Sequence, residues 1–239
     1  MEPSALLALG VILLFLLVLG FALLTARNSN QKKISRAREL GFEPLQDPPD
    51  SLMSRVENLH RRRESQSLKI SQVYRQRDLN RQIYLFDLED TQSDDSSLGS
   101  EILGVISRDL ALPHFTLVSL PEIKNDGFLG QMMDSLLDRF FDWAGKFQKL
   151  ERVEFPAYPD FDQRFVVYAR DKFTVQNLFT GQAGSFLLNC PILLSLTGSG
   201  DFLTAEASSA LNQQQQPGNN ELKSLYRFTM DLIQVLENR

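Results

Sequence analysis

Hydrophobic and polar positions divide the chain into an apolar first segment and a long remainder with strand-like and helix-like spacing. Residues 5–25 contain 21 residues without a charge, ten of them leucine. At about 1.5 Å of rise per residue, such a helix spans about 30 Å, the hydrocarbon thickness of a bilayer. A signal peptide would have a basic N-terminus and a shorter apolar run. The pattern therefore predicts an uncleaved transmembrane anchor over residues 1–26.

Residues 27–66 predict basic juxtamembrane helices interrupted by a proline-rich joint. The first helix is expected to end at Gly41, because glycine readily takes the left-handed conformation found after helix C-termini. Two adjacent prolines then exclude helix. A second short helix follows, and its apolar residues share one face. They are Leu52, Val56 and Leu59.

Residues 67–239 predict an α+β domain. Four alternating runs are joined by short polar turns without a helical crossover, which is typical of an antiparallel meander sheet. An amphipathic helix over 127–148 is expected to cover the sheet, with a groove for a partner as the alternative. A strand pattern over residues 161–170 precedes a helix capped by Asp171. A hairpin around Gly198-Ser199-Gly200 and an amphipathic C-terminal helix complete an α+β fold in which helices pack the meander.

Charge is distributed unevenly and predicts the orientation. Residues 27–82 hold 13 Lys and Arg against 7 Asp and Glu, a balance of +6, whereas residues 83–239 hold 12 against 22, a balance of -10. Basic residues follow the apolar segment and none precedes it, so the positive-inside rule places the N-terminus outside and the domain in the cytoplasm. The residues predicted to contact the membrane surface are Arg27, Lys32, Lys33, Arg36 and Arg38.

The basic residues leave two other interpretations open. Those near the anchor, together with 60–63, could sense anionic lipid at about 1 kcal/mol for each side chain, or could only set the topology. The arginine triplet 61–63 has no interleaved aromatic residues and the chain is acidic overall, so nucleic acid is not a predicted partner.

Residue types that carry chemistry are sparse in this sequence. His60 and His114 have no second ligand at zinc spacing, and Cys190 lies in an apolar run where a buried, unreactive thiol is expected. The one candidate cation site is an acidic cluster whose spacing does not match a calcium hand. Its residues are Asp87, Glu89, Asp90, Asp94 and Asp95. No metal or other cofactor is predicted.

Two spaced motifs occur in the predicted α+β domain. The first comprises Leu112-Pro113, Phe115, Leu117 and Pro121-Glu122, and the second comprises Phe161, Arg164-Phe165, Val167, Ala169, Asp171 and Phe173. They resemble the motifs of a bacterial family of single-pass, membrane-anchored proteins that has no assigned activity. The resemblance covers roughly residues 70–239 and departs from the family in a serine- and acid-rich loop and a glutamine run. It implies the fold and the membrane attachment, and it transfers no catalytic residue.

The anchor and the scarcity of chemical motifs favour a non-catalytic interaction or scaffold module at the cytoplasmic face of a bacterial membrane. Its expected partners are the lipid bilayer and an unidentified protein, and the sequence leaves the oligomeric state open. The alternatives are a membrane-tethered enzyme that uses carboxylates and a divalent ion, or the anionic-lipid sensor already described.

The predicted topology can be tested with a tag at the C-terminus. We expect protease added outside intact cells to leave the tag uncut, and to cut it once the membrane is permeabilised, because the basic flank retains residues 27–239 inside. Immunoblotting for the tag measures both. Cleavage in intact cells, or a mature N-terminus after Thr25, would contradict the prediction.

Overall fold

The structure is a computed structural model that describes residues 31, 33–60, 67–78, 80–91, 100–120, 150–207 and 219–238. The chain forms two compact units, which divide between Glu43 and Pro44. Three predicted features lie outside the described residues: the anchor at 1–26, the arginine triplet at 61–63 and the helix at 127–148. Among the described residues, no helix has both the length and the apolar character that crossing a bilayer requires.

A helix in the N-terminal unit ends at Gly41, as the sequence predicts. Gly41 has a φ of 82°, a left-handed conformation that costs glycine little. Its N–H donates to the carbonyl of Arg38 at 2.9 Å. The N–H of Phe42 donates to the carbonyl of Ala37 at 3.0 Å. This pair of bonds is a Schellman motif, which satisfies carbonyls that have no partner within the helix.

The described elements alternate between strands and short helices before a long C-terminal helix. In chain order they are β1 (Glu43–Pro44), α1 (Asp50–His60), β2 (Leu68–Arg77), β3 (Arg81–Asp90), β4 (Ser100–Ser107), β5 (Leu112–Ser119), β6 (Glu151–Val153), α2 (Pro159–Arg164), β7 (Phe165–Ala169), α3 (Lys172–Phe179), α4 (Gln182–Leu188), β8 (Leu194–Gly200), β9 (Phe202–Ala207) and α5 (Asn219–Glu237).

The strands form one nine-stranded sheet in the order β1-β2-β3-β4-β9-β8-β5-β7-β6. Every pairing from β2 to β6 across it is antiparallel, which confirms the α+β class and the antiparallel sheet. β2, β3 and β4 form the predicted meander. The prediction that β5 lies beside β4 is wrong, because the β8–β9 hairpin separates them. The connection from Ser107 to Leu112 is still long enough to pass β9 and β8. The three inter-strand spacings from β4 to β5 total about 14 Å, and five Cα steps reach about 17 Å.

Strand β2 contains a bulge that explains why its sequence alternates ambiguously. Its register against β3 shifts between Ser71 and Tyr74. Gln72, inside the bulge, is exposed and has a φ of 51°. Ile70 and Val73 are three positions apart and would face opposite sides of a regular strand. Because the bulge inserts a residue, both belong to the same core cluster.

Helix α1 covers one face of the sheet. Its predicted apolar face packs against side chains from β2, β3, β4 and β9, so that prediction is confirmed. The buried residues of this cluster are Leu52, Val56, Leu59, Ile70, Val73, Tyr84, Phe86, Ile102, Ile106 and Phe202.

Helices α3 and α5 pack on the opposite face. Phe115 of β5 meets Phe179 of α3 edge to face, with ring centroids 5.1 Å apart. The Tyr226 hydroxyl of α5 donates to Gln76 of β2 at 2.9 Å. Phe115 and Gln76 lie in one cross-strand row, on the side of the sheet opposite to Tyr84. Burial on both faces explains why β3 is buried continuously from residue 83 to residue 87.

The predicted strand over 161–170 begins later than expected, because Pro159–Arg164 is a helix and the strand is Phe165–Ala169. Phe161 and Phe165 are both buried. Residues four apart share a face in a helix as well as in a strand, so their spacing does not distinguish the two. The proline at the first helical position is a helix-start signal that favours the structure observed.

The hairpin turn also differs from the prediction by two positions. Ser199 pairs with Phe202, so the turn consists of Gly200 and Asp201, and Gly198 belongs to β8. Gly200 has a φ of 60°, as a two-residue turn requires where its first position is left-handed.

A glycine pair at the junction of α3 and α4 provides a test of this packing. A Cβ on Gly184 would lie 1.7 Å from the carbonyl oxygen of Phe179, whereas a Cβ on Gly181 would meet nothing within 4 Å. We expect Gly184→Ala to lower the free energy of unfolding by about 2 kcal/mol or more, because the helix junction must shift. Gly181→Ala, the control at the N-cap of α4, is expected to lower it by about 1 kcal/mol or less, because alanine is disfavoured at an N-cap but its Cβ clashes with nothing here. Chemical denaturation of the full chain in detergent measures both, and equal effects would contradict the described junction.

Candidate functional site: an arginine-lined cleft

Three turns and the first turns of α1 meet at one end of the sheet. β2, β4 and β8 run toward this end, and β3, β5 and β9 start from it. They enclose a cleft of about 610 Å³. Its lining comes from α1, the strand ends and the turns: Ser51, Arg55, Arg77, Asp78, Asn80, Arg81, Gln82, Ile106, Arg108 and Asp201.

One wall of the cleft is an ion pair between Arg55 of α1 and Asp201 of the hairpin turn. Nε of Arg55 donates to Oδ1 at 3.0 Å and Nη2 donates to Oδ2 at 2.6 Å. These hydrogen bonds hold the pKa of the Asp201 carboxyl below its ordinary value and raise the pKa of Arg55. The Asp201 carbonyl also accepts from the N–H of Ser107 at 2.9 Å. The pair therefore joins α1 to the hairpin beside β4.

A second ion pair joins Arg81, at the start of β3, to Glu237, at the end of α5. Nε of Arg81 donates to Oε1 of Glu237 at 3.0 Å, and Nη2 donates to Oε2. The Ser107 hydroxyl donates to the same Oε1 at 2.6 Å. Hydrogen bonding to Glu237 raises the pKa of Arg81. The C-terminal helix is thus fixed to the cleft end of the sheet.

The other two arginines of the cleft, Arg77 and Arg108, are exposed. Within the described part of the chain, neither guanidinium group has a hydrogen-bond or ion-pair partner. The lining residues comprise four arginines against two aspartates, a formal charge of +2. The cleft therefore combines two guanidinium groups that ion pairs hold in place with two exposed ones, at the end of β2 and directly after β4.

The predicted membrane-surface residues fall only partly within the described chain. Arg27 and Lys32 lie outside it, whereas Lys33, Arg36 and Arg38 belong to the helix of the N-terminal unit. Their contact with a membrane stays a prediction.

The predicted acidic cluster falls only partly within the described residues, where Asp87, Glu89 and Asp90 belong to β3. Asp87 is buried in β3 with Glu101 of β4 as its cross-strand partner, and Glu89 lies opposite Lys69. Asp94 and Asp95 lie outside the described residues. In the described ranges, no three His, Cys, Asp or Glu residues are grouped as a metal ion requires.

The histidines and the cysteine occupy separate places. Nε2 of His60 lies 3.2 Å from the hydroxyl oxygen of Thr204, and His114 lies in β5, where burial lowers its pKa. Cys190 is buried, as predicted, and burial raises the pKa of its thiol. A protonated, inaccessible thiol is a poor nucleophile.

Three charged side chains within residues 160–180 hold local structure in place, and the capping role predicted for Asp171 is confirmed. An Asp162 oxygen accepts from the N–H of Phe155 at 2.8 Å, and the guanidinium of Arg164 donates to the carbonyls of Leu188 and Cys190, both at 2.5 Å. Asp171 caps α3 by accepting from the N–H of Thr174 at 3.1 Å.

Sequence reasoning missed the arginine cleft, although a local signal for it exists. An Arg-Asp pair occurs where β2 ends, directly after β4 and directly after β7. These three strands run to the same end of the sheet, but single-sequence patterns do not reveal which strand ends coincide. The strand order had to be known first.

Comparisons of the chain with protein-family models, with curated proteins and with solved structures found no match. The resemblance to the membrane-anchored bacterial family therefore stays a prediction.

The Arg55–Asp201 pair predicts how stability depends on pH. Because folding lowers the pKa of Asp201, the pair stabilises the fold above the ordinary pKa of 3.8 and loses its effect as the pH falls through the lower folded value. We expect Asp201→Asn to cost roughly 0.5–1 kcal/mol at pH 7, a modest figure because both side chains are partly exposed, and to cost less below pH 3.8. Denaturation at a series of pH values measures the difference.

Asp231→Asn is the matched control, because Asp231 is an exposed aspartate on α5. A cost for Asp201→Asn that equals that of the control, or that does not shrink in acid, would contradict the role given to the pair.

Proposed function

We propose that this chain is a non-catalytic interaction module, held at the cytoplasmic face of a bacterial membrane by its N-terminal helix, that presents its α+β domain to a protein partner. The apolar segment 5–25 and the basic residues after it support the membrane attachment. The family resemblance supports the bacterial setting.

The observation that carries the non-catalytic part is the use of carboxylates in the described domain. At Glu151, Asp171 and Asp201, hydrogen bonds from Lys172, Thr174 and Arg55 lower the pKa of the carboxyl group. A general acid or base works best with a pKa near the working pH, which for a carboxyl group requires an upward shift. These groups are tuned as permanent anions that hold elements together, which favours a binding platform over proton transfer.

The charge distribution supports a protein partner with a basic surface. The chain changes from +6 over residues 27–82 to -10 over residues 83–239. Complementary charge speeds association and selects among partners, although each charge acts only over a Debye length of about 8 Å at physiological salt. The carboxylate enzyme remains the second candidate, and the adjacency of Asp87 and Glu101 across β3 and β4 is the observation in its favour.

Photo-crosslinking in intact membranes tests the proposal. Phe173, at the start of α3, is 72% exposed, whereas Val175 in the same helix is 0% exposed. A photoreactive residue at Phe173 is expected to yield a discrete adduct with one protein, because a solvent-exposed apolar side chain on the domain can reach a partner. Mass spectrometry of the adduct identifies that protein.

The control places the same photoreactive residue at Val175, from which only internal products are expected. If neither Phe173 nor a set of exposed positions on α5, such as Lys223 and Arg227, gave any adduct other than lipid, the protein-partner proposal would fail.

A further inference from the structure

We propose that the arginine-lined cleft binds a phosphate group, carried either by a soluble compound or by a lipid headgroup. This inference goes beyond the proposed function, since it requires neither the protein partner nor the absence of catalysis. It depends on four guanidinium groups in one cleft of about 610 Å³, a volume within the range of small-molecule sites.

Two of the donors are held in position before any ligand arrives. Arg55 and Arg81 are each fixed by two hydrogen bonds to a carboxylate. A guanidinium has five N–H donors, so Arg81, which makes two bonds, retains three, and Arg55, whose Nη1 also donates to the Ser51 carbonyl at 3.1 Å, retains two. In the contacts described for Arg81, Nη1 is not used. Fixed donors lose little entropy on binding, which is the advantage of a preformed site.

The other two donors are placed to close on a ligand from either side. Arg77 ends β2 and Arg108 follows β4, and these strands flank β3, which carries Arg81. Two strand spacings separate β2 from β4 by about 10 Å. Guanidinium side chains extending from both sides can therefore converge on a group that lies above the end of β3.

This arrangement favours phosphate over other ligand classes. A guanidinium presents paired N–H groups that match two oxygens, and a phosphate offers enough oxygens for two such forks, whereas a carboxylate is satisfied by one. A bare cation would meet four guanidinium groups. A long polyanion such as nucleic acid would meet the net charge of -10 on residues 83–239. A single phosphate group fits both the local donors and the acidic surroundings.

Nearby carboxylates limit the field of the cleft and so define how it binds. Asp201 and Glu237 neutralise Arg55 and Arg81, and the negative charges of Asp78, which lines the cleft, and of Asp109 also raise the pKa of Arg81. Binding must therefore come from directed hydrogen bonds at short range. Lysine would supply the charge without the planar fork, so replacing arginine by lysine separates these two contributions.

Calorimetric titration of the full chain in phosphatidylcholine nanodiscs with inorganic pyrophosphate tests the proposal. Saturable binding is expected for the wild type, and Arg77→Gln with Arg108→Gln is expected to weaken it by about tenfold or more through loss of both flanking forks. The control, Arg152→Gln with Arg227→Gln, removes the same charge from exposed arginines of β6 and α5 and is expected to change affinity by less than about twofold.

Arg77→Lys with Arg108→Lys retains the charge and is expected to recover only part of the affinity. Circular dichroism tests whether each variant is folded. If the glutamine variant is unfolded, the pyrophosphate affinity of the lysine variant is compared with that of the wild type instead. Nanodiscs that also contain phosphatidic acid identify the source of the phosphate. If phosphatidic acid competes with pyrophosphate, the phosphate is that of a lipid headgroup. If it does not compete, the phosphate belongs to a soluble compound. Both results support a phosphate ligand.

Three results would overturn the inference: no saturable binding of pyrophosphate by the wild type, equal losses in the cleft and control variants, or full affinity in the folded glutamine variant. A failure to crosslink a protein partner does not affect this experiment, so the two proposals fail separately.

Discussion

Insertion of the β8–β9 hairpin into the middle of the sheet is the pairing on which the rest of the structure depends. β9 pairs with β4 and β8 pairs with β5, so the hairpin joins the meander β2–β4 to the strands β5, β7 and β6. Without it, each half would present an unpaired strand edge at that point, with backbone groups open to unwanted pairing. The same insertion places Asp201 beside Arg55 and so positions α1.

Charged side chains do much of the work of joining elements in this domain. Arg55 joins α1 to the hairpin, Arg81 joins β3 to the end of α5, and Arg164 joins α2 to the end of α4. In each case a guanidinium makes two directed bonds, which specify an orientation as well as a contact. Apolar packing supplies most of the stability, while these bonds determine where the ends of the helices lie.

The cleft follows from that use of arginine. An arginine bound to a carboxylate retains further N–H donors, and two such residues, Arg55 and Arg81, line the cleft. A domain with a net negative charge can in this way contain a local site for an anion, because salt screening limits the electrostatic effect of remote carboxylates to about 8 Å. Charge summed over a domain therefore says little about a site defined by hydrogen bonds.

The sequence by itself determined the elements whose signals are local. A glycine in the left-handed conformation ends the helix at Gly41, and Asp171 caps α3 by accepting a hydrogen bond from Thr174, three residues along the chain. The apolar face of α1 is visible in its spacing. These features depend on interactions within a few residues, which a single sequence displays completely.

Only the tertiary structure decided the features that depend on which distant elements meet. A four-residue connection is compatible with adjacent strands and with strands three positions apart, so the separation of β4 and β5 could not be read from the sequence. The cleft required the same information, because Arg55 and Asp201 are 146 residues apart and meet only through the strand order.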